Sequence, residues 1–161
     1  PSPPTAAIAT LKASGTELPF AAESFDVIYL LDVIEHIEED RKLIQQAVNA
    51  LKPQGKLILT TPSSDIRIFP HFLTGWVSLK WGHTLRRGYD PDQLAGYFDS
   101  RVAVEVFNLK AKWYRFLYFP VRLIHAISPK LSANLIRRMV RMESKDPFGK
   151  HGFILIEATR K

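Results

Sequence analysis

Asp32, Glu35 and His36 crowd together where an apolar run, Phe25 to Leu31, gives out. Two carboxylates beside an imidazole are the side chains that move protons near neutral pH or, if their oxygens converge, hold a hard cation. The spacing of Asp32 and Glu35 has a structural reading as well. An aspartate followed three positions later by a glutamate at a helix start is a form of the capping box. Glu38, Glu39 and Asp40 would then suit the positive end of that helix. Capping is favoured over a metal, because a solvated helix face does not bring oxygens together. The five histidines (36, 71, 83, 125, 151) show no paired ligand spacing such as H-E-x-x-H, and the chain has no cysteine. A catalytic metal is not expected, and neither a serine nucleophile elbow nor a phosphate-binding loop is present.

The elements that must position these residues follow from periodicity. Asp26 to Leu31 (DVIYLL) is apolar on both faces, which predicts a central parallel strand covered on both sides. Ile34, Ile37, Leu43, Ile44, Ala47, Val48 and Leu51 form a helical stripe, with residues 38–42 turned to water. Lys52-Pro53-Gln54-Gly55 stops that helix, and Leu57 to Thr61 is a second apolar strand. The unit is βαβ with a right-handed crossover and a parallel strand pair. Further on, a helix is expected over Ile66 to Lys80 and another over Pro91 to Phe98, capped by Asp90. A strand is expected over Val102 to Leu109. Residues 113–142 read as two helical pieces divided near Ser128-Pro129, and a strand lies within His151 to Thr159. Ala6 to Lys12 is a candidate short strand.

With 161 residues, 46% of them hydrophobic, the chain can bury one core and reads as a single α/β domain, 1–161. Its net charge of +6 is uneven: residues 1–100 sum to −3 and residues 101–161 to +9. No stretch reaches the apolar length of a membrane-spanning helix. The expected location is cytoplasmic, at most peripheral to a membrane.

ELPFAAESFDVIYLLDVIEHI followed by ALKPQGKLILTTP resembles the class I S-adenosylmethionine-dependent methyltransferases, closest to the group that includes the quinone-biosynthesis methyltransferases. GHTLRRGYDPDQLAGYF, residues 82–98, resembles a later segment of the same family, and the likeness runs over about residues 8–109. It implies a Rossmann-like sheet and S-adenosylmethionine as cofactor. By position, Ser14 and Gly15 stand beside the adenine, with Ser14 where the family usually has an acid. Leu31, Asp32 and Val33 line the methionine side. His36 matches a histidine facing the methyl-transfer region, a helix-surface side chain being the other reading. The family's glycine-rich loop and ribose-binding acid should precede Ala6, and no G-x-G occurs in the chain. The expectation is an N-terminally incomplete sheet, the carboxy-terminal two-thirds of a longer enzyme, with weak or no cofactor binding by this chain alone.

Residues 63–88 and 110–145 read as helical insertions or lids. The first leaves the strand rim and offers His83, Arg86, Arg87 and Tyr89 to a substrate pocket; His36 and His83 are the candidate bases. The second mixes aromatics with basic residues, fitting helices that cover the sheet or roof a substrate, or a surface for anionic lipid. Nucleic acid is disfavoured for want of a recognisable module. The leading function is methyl transfer to a small-molecule or lipid-like acceptor. The rival is a non-catalytic domain of the same fold that binds a membrane or partner through its basic aromatic helices. Catalytic residues, the methylated atom and the oligomeric state are not assigned.

Overall fold

A computed structural model of the chain describes residues 8–80, 82 and 88–161. In chain order it holds β1 (Phe25–Leu31), a 3-10 turn (Ile34–His36), α1 (Asp40–Ala50), β2 (Leu51–Pro62) and a second 3-10 turn (His71–Leu73). Then come α2 (Thr74–Lys80), α3 (Pro91–Ala95), β3 (Val102–Leu109), α4 (Lys112–Ile127), α5 (Pro129–Glu143) and β4 (Phe153–Arg160). The four strands form one sheet in the order β1-β2-β4-β3. β1 and β2 are parallel, as the crossover requires. β4 runs antiparallel to both β2 and β3, so β2 and β3 point the same way and their carboxyl ends share one rim.

Alternation along each strand makes one face of the sheet the core. Leu57, Leu59, Ile154, Ile156 and Ala158 are fully enclosed, and the α1 stripe of Leu43, Ile44, Ala47 and Val48 closes over them. Each enclosed Leu or Ile contributes about 1.5–3 kcal/mol relative to an exposed one. Tyr89, Leu94 and Tyr97 finish the same layer from around α3. Asp90 caps α3 as expected, accepting from the N–H groups of Asp92 at 3.0 Å and Gln93 at 3.1 Å. Ser128 and Pro129 start α5 in the same way, with Leu131 N–H on the Ser128 hydroxyl.

The expected central strand is in fact an edge. β1 pairs with β2 alone among the described strands, and Val27, Tyr29 and Leu31 stand exposed on the sheet face away from α1. An apolar run signals where burial is available, not that a neighbour supplies it. Residues 8–12 form no strand, and residues 1–7 lie outside the described residues. The α1 helix ends at Ala50, before the Lys-Pro-Gln-Gly sequence, which instead bulges out of β2 between the pairs Phe25–Leu51 and Val27–Lys56. Gln54 sits there at φ 64°, and a Cβ on Gly55 would meet the Lys52 carbonyl oxygen at 2.8 Å. The helix expected over 66–80 forms only from His71 on, and that expected over 91–98 ends at Ala95. The pair of helices in 113–142 forms as expected, but α4 and α5 pack on each other and not over the sheet.

Candidate functional site

The rim where β1 and β2 end is built by a backbone reversal. Asp32 takes φ 52°, the left-handed region open to aspartate more than to most side chains. Its N–H donates to the Thr60 carbonyl at 2.9 Å, and the Thr60 hydroxyl donates to Asp32 Oδ1 at 3.1 Å. The chain thereby folds straight off β1 into the Ile34–His36 turn. This corrects the capping box: no side chain caps that turn, α1 starts only at Asp40, and no side chain caps α1 either. Asp32 and Glu35 bond across to β2 because the reversal carries them over its carboxyl end.

Glu35 is fully buried and accepts from the Thr61 hydroxyl at 3.0 Å. Burial pushes its carboxyl pKa up and the charge of Asp32 adds to this; a backbone hydrogen bond, Thr61 and His36 pull the other way without cancelling it. His36 is partly exposed, with Nδ1 3.2 Å from the Gly82 carbonyl, to which it donates when it carries the proton. Its Nε2 lies 4.0 Å from Glu35 Oε1, near enough for charge coupling and too far for a hydrogen bond.

Tyr89 holds this corner from below. Its hydroxyl proton is shared between the Ile34 carbonyl at 3.0 Å and Asp40 Oδ2 at 2.8 Å. Asp40, expected in water, is therefore buried. The backbone of Gly88 and Tyr89 runs hard against the end of β2: a Cβ on Gly88 would meet the Pro62 and Ser63 carbonyl oxygens at 2.6 Å. The structure thus gives Tyr89 a positioning task inside the core. His83, Arg86 and Arg87 lie outside the described residues.

Ser14 and Gly15 lie in a tight loop over the side chains of Ile37 and Leu43. Gln46 of α1 fixes the loop, accepting from Leu18 N–H at 2.6 Å and donating to the Thr16 carbonyl. A second constellation joins residues far apart in sequence. His151 Nδ1 lies 2.9 Å from Asp65 Oδ2, and the Ser63 hydroxyl donates to Asp65 Oδ1 at 2.6 Å. These three line a cleft of about 240 Å³ at the rim, with His151 in the left-handed region at φ 69°. Sequence gave no sign of it, since only the antiparallel return of β4 carries His151 to the end of β2. Among the described residues no three His, Asp or Glu side chains converge as a metal site.

The fold has solved relatives. Over 91% of its length the chain superposes, at a TM-score of 0.60 and 19% identity, on phosphoethanolamine N-methyltransferase 2 of Haemonchus contortus bound to S-adenosyl-L-methionine, covering 36% of that protein. It superposes likewise on an S-adenosylmethionine-dependent methyltransferase of Thermotoga maritima, at 0.61 and 18% identity, over 94% of this chain and 63% of that one. Residues 2–59 match the family model of the methyltransferase domain. The ubiquinone biosynthesis O-methyltransferase of Idiomarina loihiensis is 26% identical over 89 residues, 52% of this chain and 36% of that protein. The mitochondrial enzyme of that name from Schizosaccharomyces pombe is 35% identical over 52 residues, 32% of this chain and 18% of its own. Over its amino-terminal third the chain is thus similar to the methyltransferase domain family, and it spans about a third of the length of the first of these curated relatives.

The rim offers an apolar lip of the kind that could hold one flank of such a cofactor. Leu31 is 55% exposed at the strand end, an apolar lip with no cover among the described residues, and the hydrogen bonds of Asp32 hold it in place.

Proposed function

We propose that this protein transfers a methyl group from S-adenosylmethionine to a small-molecule or lipid-like acceptor. The observation that carries the reading is the rim itself: Leu31 to His36 reversed off β1 and fastened to Thr60 and Thr61 of β2. In open α/β sheets ligands bind beyond the carboxyl ends of the strands, and this corner is rigid at that place. The relatives are named for O-methylation in ubiquinone biosynthesis and N-methylation of phosphoethanolamine, which supports a small acceptor and leaves its reacting atom open.

The cofactor supplies a methyl group already activated on a sulfonium. The protein's own task is alignment and exclusion of water. In this reading Ser14 and Gly15 flank the adenine, and Leu31, Asp32 and Val33 the methionine portion. An oxygen or carbon nucleophile must lose a proton during attack. His36, through Nε2 when Nδ1–H is held by Gly82, is one base within reach of the rim. His151, oriented through Nδ1 by Asp65, is a second. In this reading residues 63–80, which leave the rim from the end of β2, roof the acceptor, and the enzyme works in the cytoplasm, peripheral to a membrane.

Titration of the isotope-labelled chain with S-adenosylhomocysteine, followed by amide chemical shifts, tests the reading. Shifts should concentrate at Ser14, Gly15, Leu31, Asp32 and Val33 and spare α5. Binding by this chain alone is expected to be weak, so the ligand is taken to millimolar concentration. Shifts confined to α4 and α5, or sub-micromolar affinity, would refute the reading of an incomplete site at the β1–β2 rim.

A further inference from the structure

All acidic residues of the chain lie outside two stretches, 66–89 and 106–142, which together carry twelve Lys and Arg. Both stretches emerge at one end of the sheet, from the carboxyl ends of the like-directed strands β2 and β3. They are tied together there. The N–H of Phe69 donates to the Arg115 carbonyl at 3.1 Å, and its ring lies 5.6 Å from that of Phe116. Arg115 Nε donates in return to the Arg67 carbonyl.

The two pieces carry an unusual share of bare apolar surface. Phe72 is 83% exposed and Trp76 and Leu79 more than half; along α4, Leu123 is 67% and Ile127 80% exposed. On α4 the spacing of Phe116, Pro120, Leu123 and Ile127 is that of one helical stripe. Another side of α4 is turned to α5, where Leu117 and Val121 line an apolar cleft together with Ile136 and Met139. The stripe is thus surplus to the packing of the hairpin. Arg122, Lys130, Arg137, Arg138 and Arg141 pair with no carboxylate among the described residues.

We propose that α2 and the α4–α5 hairpin form a docking face for an anionic lipid bilayer. An amphipathic helix lies in the headgroup boundary when its apolar side enters the acyl region and its basic side meets lipid phosphates. Each Lys or Arg near such a surface adds attraction that decays within a Debye length. An acidic protein would match the charge. It would not match bare Phe, Trp, Leu and Ile spread over two separate elements at one end of the molecule, which a fluid interface accommodates without shape complementarity. The docking face stands independently of methyl transfer. Joined to it, it brings the β1–β2 rim toward acceptors dissolved in the lipid.

The test is co-sedimentation of the chain with vesicles of phosphatidylcholine alone or mixed equally with phosphatidylglycerol, at low and high salt. The expected result is binding to the mixed vesicles only, weakened by salt. The double variant L123D/I127D, with far-UV circular dichroism confirming the helices, should lower the partition coefficient by about tenfold or more. F72D, in the 3-10 turn that leads into α2, should lower it as well. Equal binding to both vesicle types, no binding to either, or binding unchanged by L123D/I127D would overturn the proposal. So would a lipid-free dimer, seen by light scattering, that L123D/I127D dissolves, because the face would then belong to a second copy of the chain.

Discussion

Glu35 and Tyr89 show how single side chains set the site corner. The Glu35 carboxyl is enclosed, and its pKa lies above its ordinary value because burial disfavours the charge. The native state therefore takes up a proton more readily than the unfolded chain. The stability linked to Glu35 is fully present below the unfolded-state value of 4.5 and is lost as pH rises through the raised native value. Gln cannot titrate, so E35Q should gain stability relative to the parent as pH climbs from about 5 to 8, read from urea midpoints. A difference that stays flat or shrinks over that range would mean that the carboxyl is ionised at no cost. Tyr89→Phe removes the hydroxyl between Asp40 and the Ile34 carbonyl and should cost about 1–3 kcal/mol in urea unfolding, since both acceptors are buried. If the loss is only a few tenths of a kcal/mol, the hydroxyl does not pin the corner.

At the scale of elements, the bulge in β2 and the loop before β1 place two glycines under opposite demands. A methyl group on Gly55 would stand 2.8 Å from the Lys52 carbonyl oxygen and 3.1 Å from that of Phe25, both backbone atoms that cannot turn aside. Gly15 has only side-chain methyl groups near it, at 3.6 Å and beyond. Gly55→Ala should therefore destabilise by about 1–3 kcal/mol, whereas Gly15→Ala should stay within about 0.5 kcal/mol. Calorimetric melting of the two variants side by side decides it, and equal effects would contradict the bulge geometry. The cap of α3 is a third such demand. Asp90→Ala should cost about 0.5–2 kcal/mol because two N–H groups lose their acceptor.

Among the described residues one face of the sheet is the core. Val27, Tyr29 and Leu31 leave an apolar strip on the other, along a strand whose outer edge meets no other described strand. Such an edge is a template for pairing with another chain. Val27 and Tyr29 face away from the described core, so V27K/Y29K should leave the melting temperature nearly unchanged, and a fall of several degrees would show that this face is covered.

Much of this was legible without coordinates, and for a stated reason. Patterns set by neighbours along the chain survive in sequence: the β1–α1–β2 unit, β3 over Val102–Leu109, the Asp90 cap and the two helices split at Ser128-Pro129. The likeness to the methyltransferase family also rests on such local words. What depends on distant partners was not legible. Asp32 and Glu35 read as a cap because both lie near a helix start, yet the left-handed backbone at Asp32 turns them onto Thr60 and Thr61. Tyr89 read as a pocket wall until its hydroxyl met Asp40 across 49 residues, and the Asp65–His151 pair waited on the antiparallel return of β4. Sequence by itself determined which segments form elements and which family they resemble, because hydrophobic period and capping act over a few residues. Tertiary structure alone decided which polar groups meet at the rim and which apolar faces stay bare, because long-range packing fixes both.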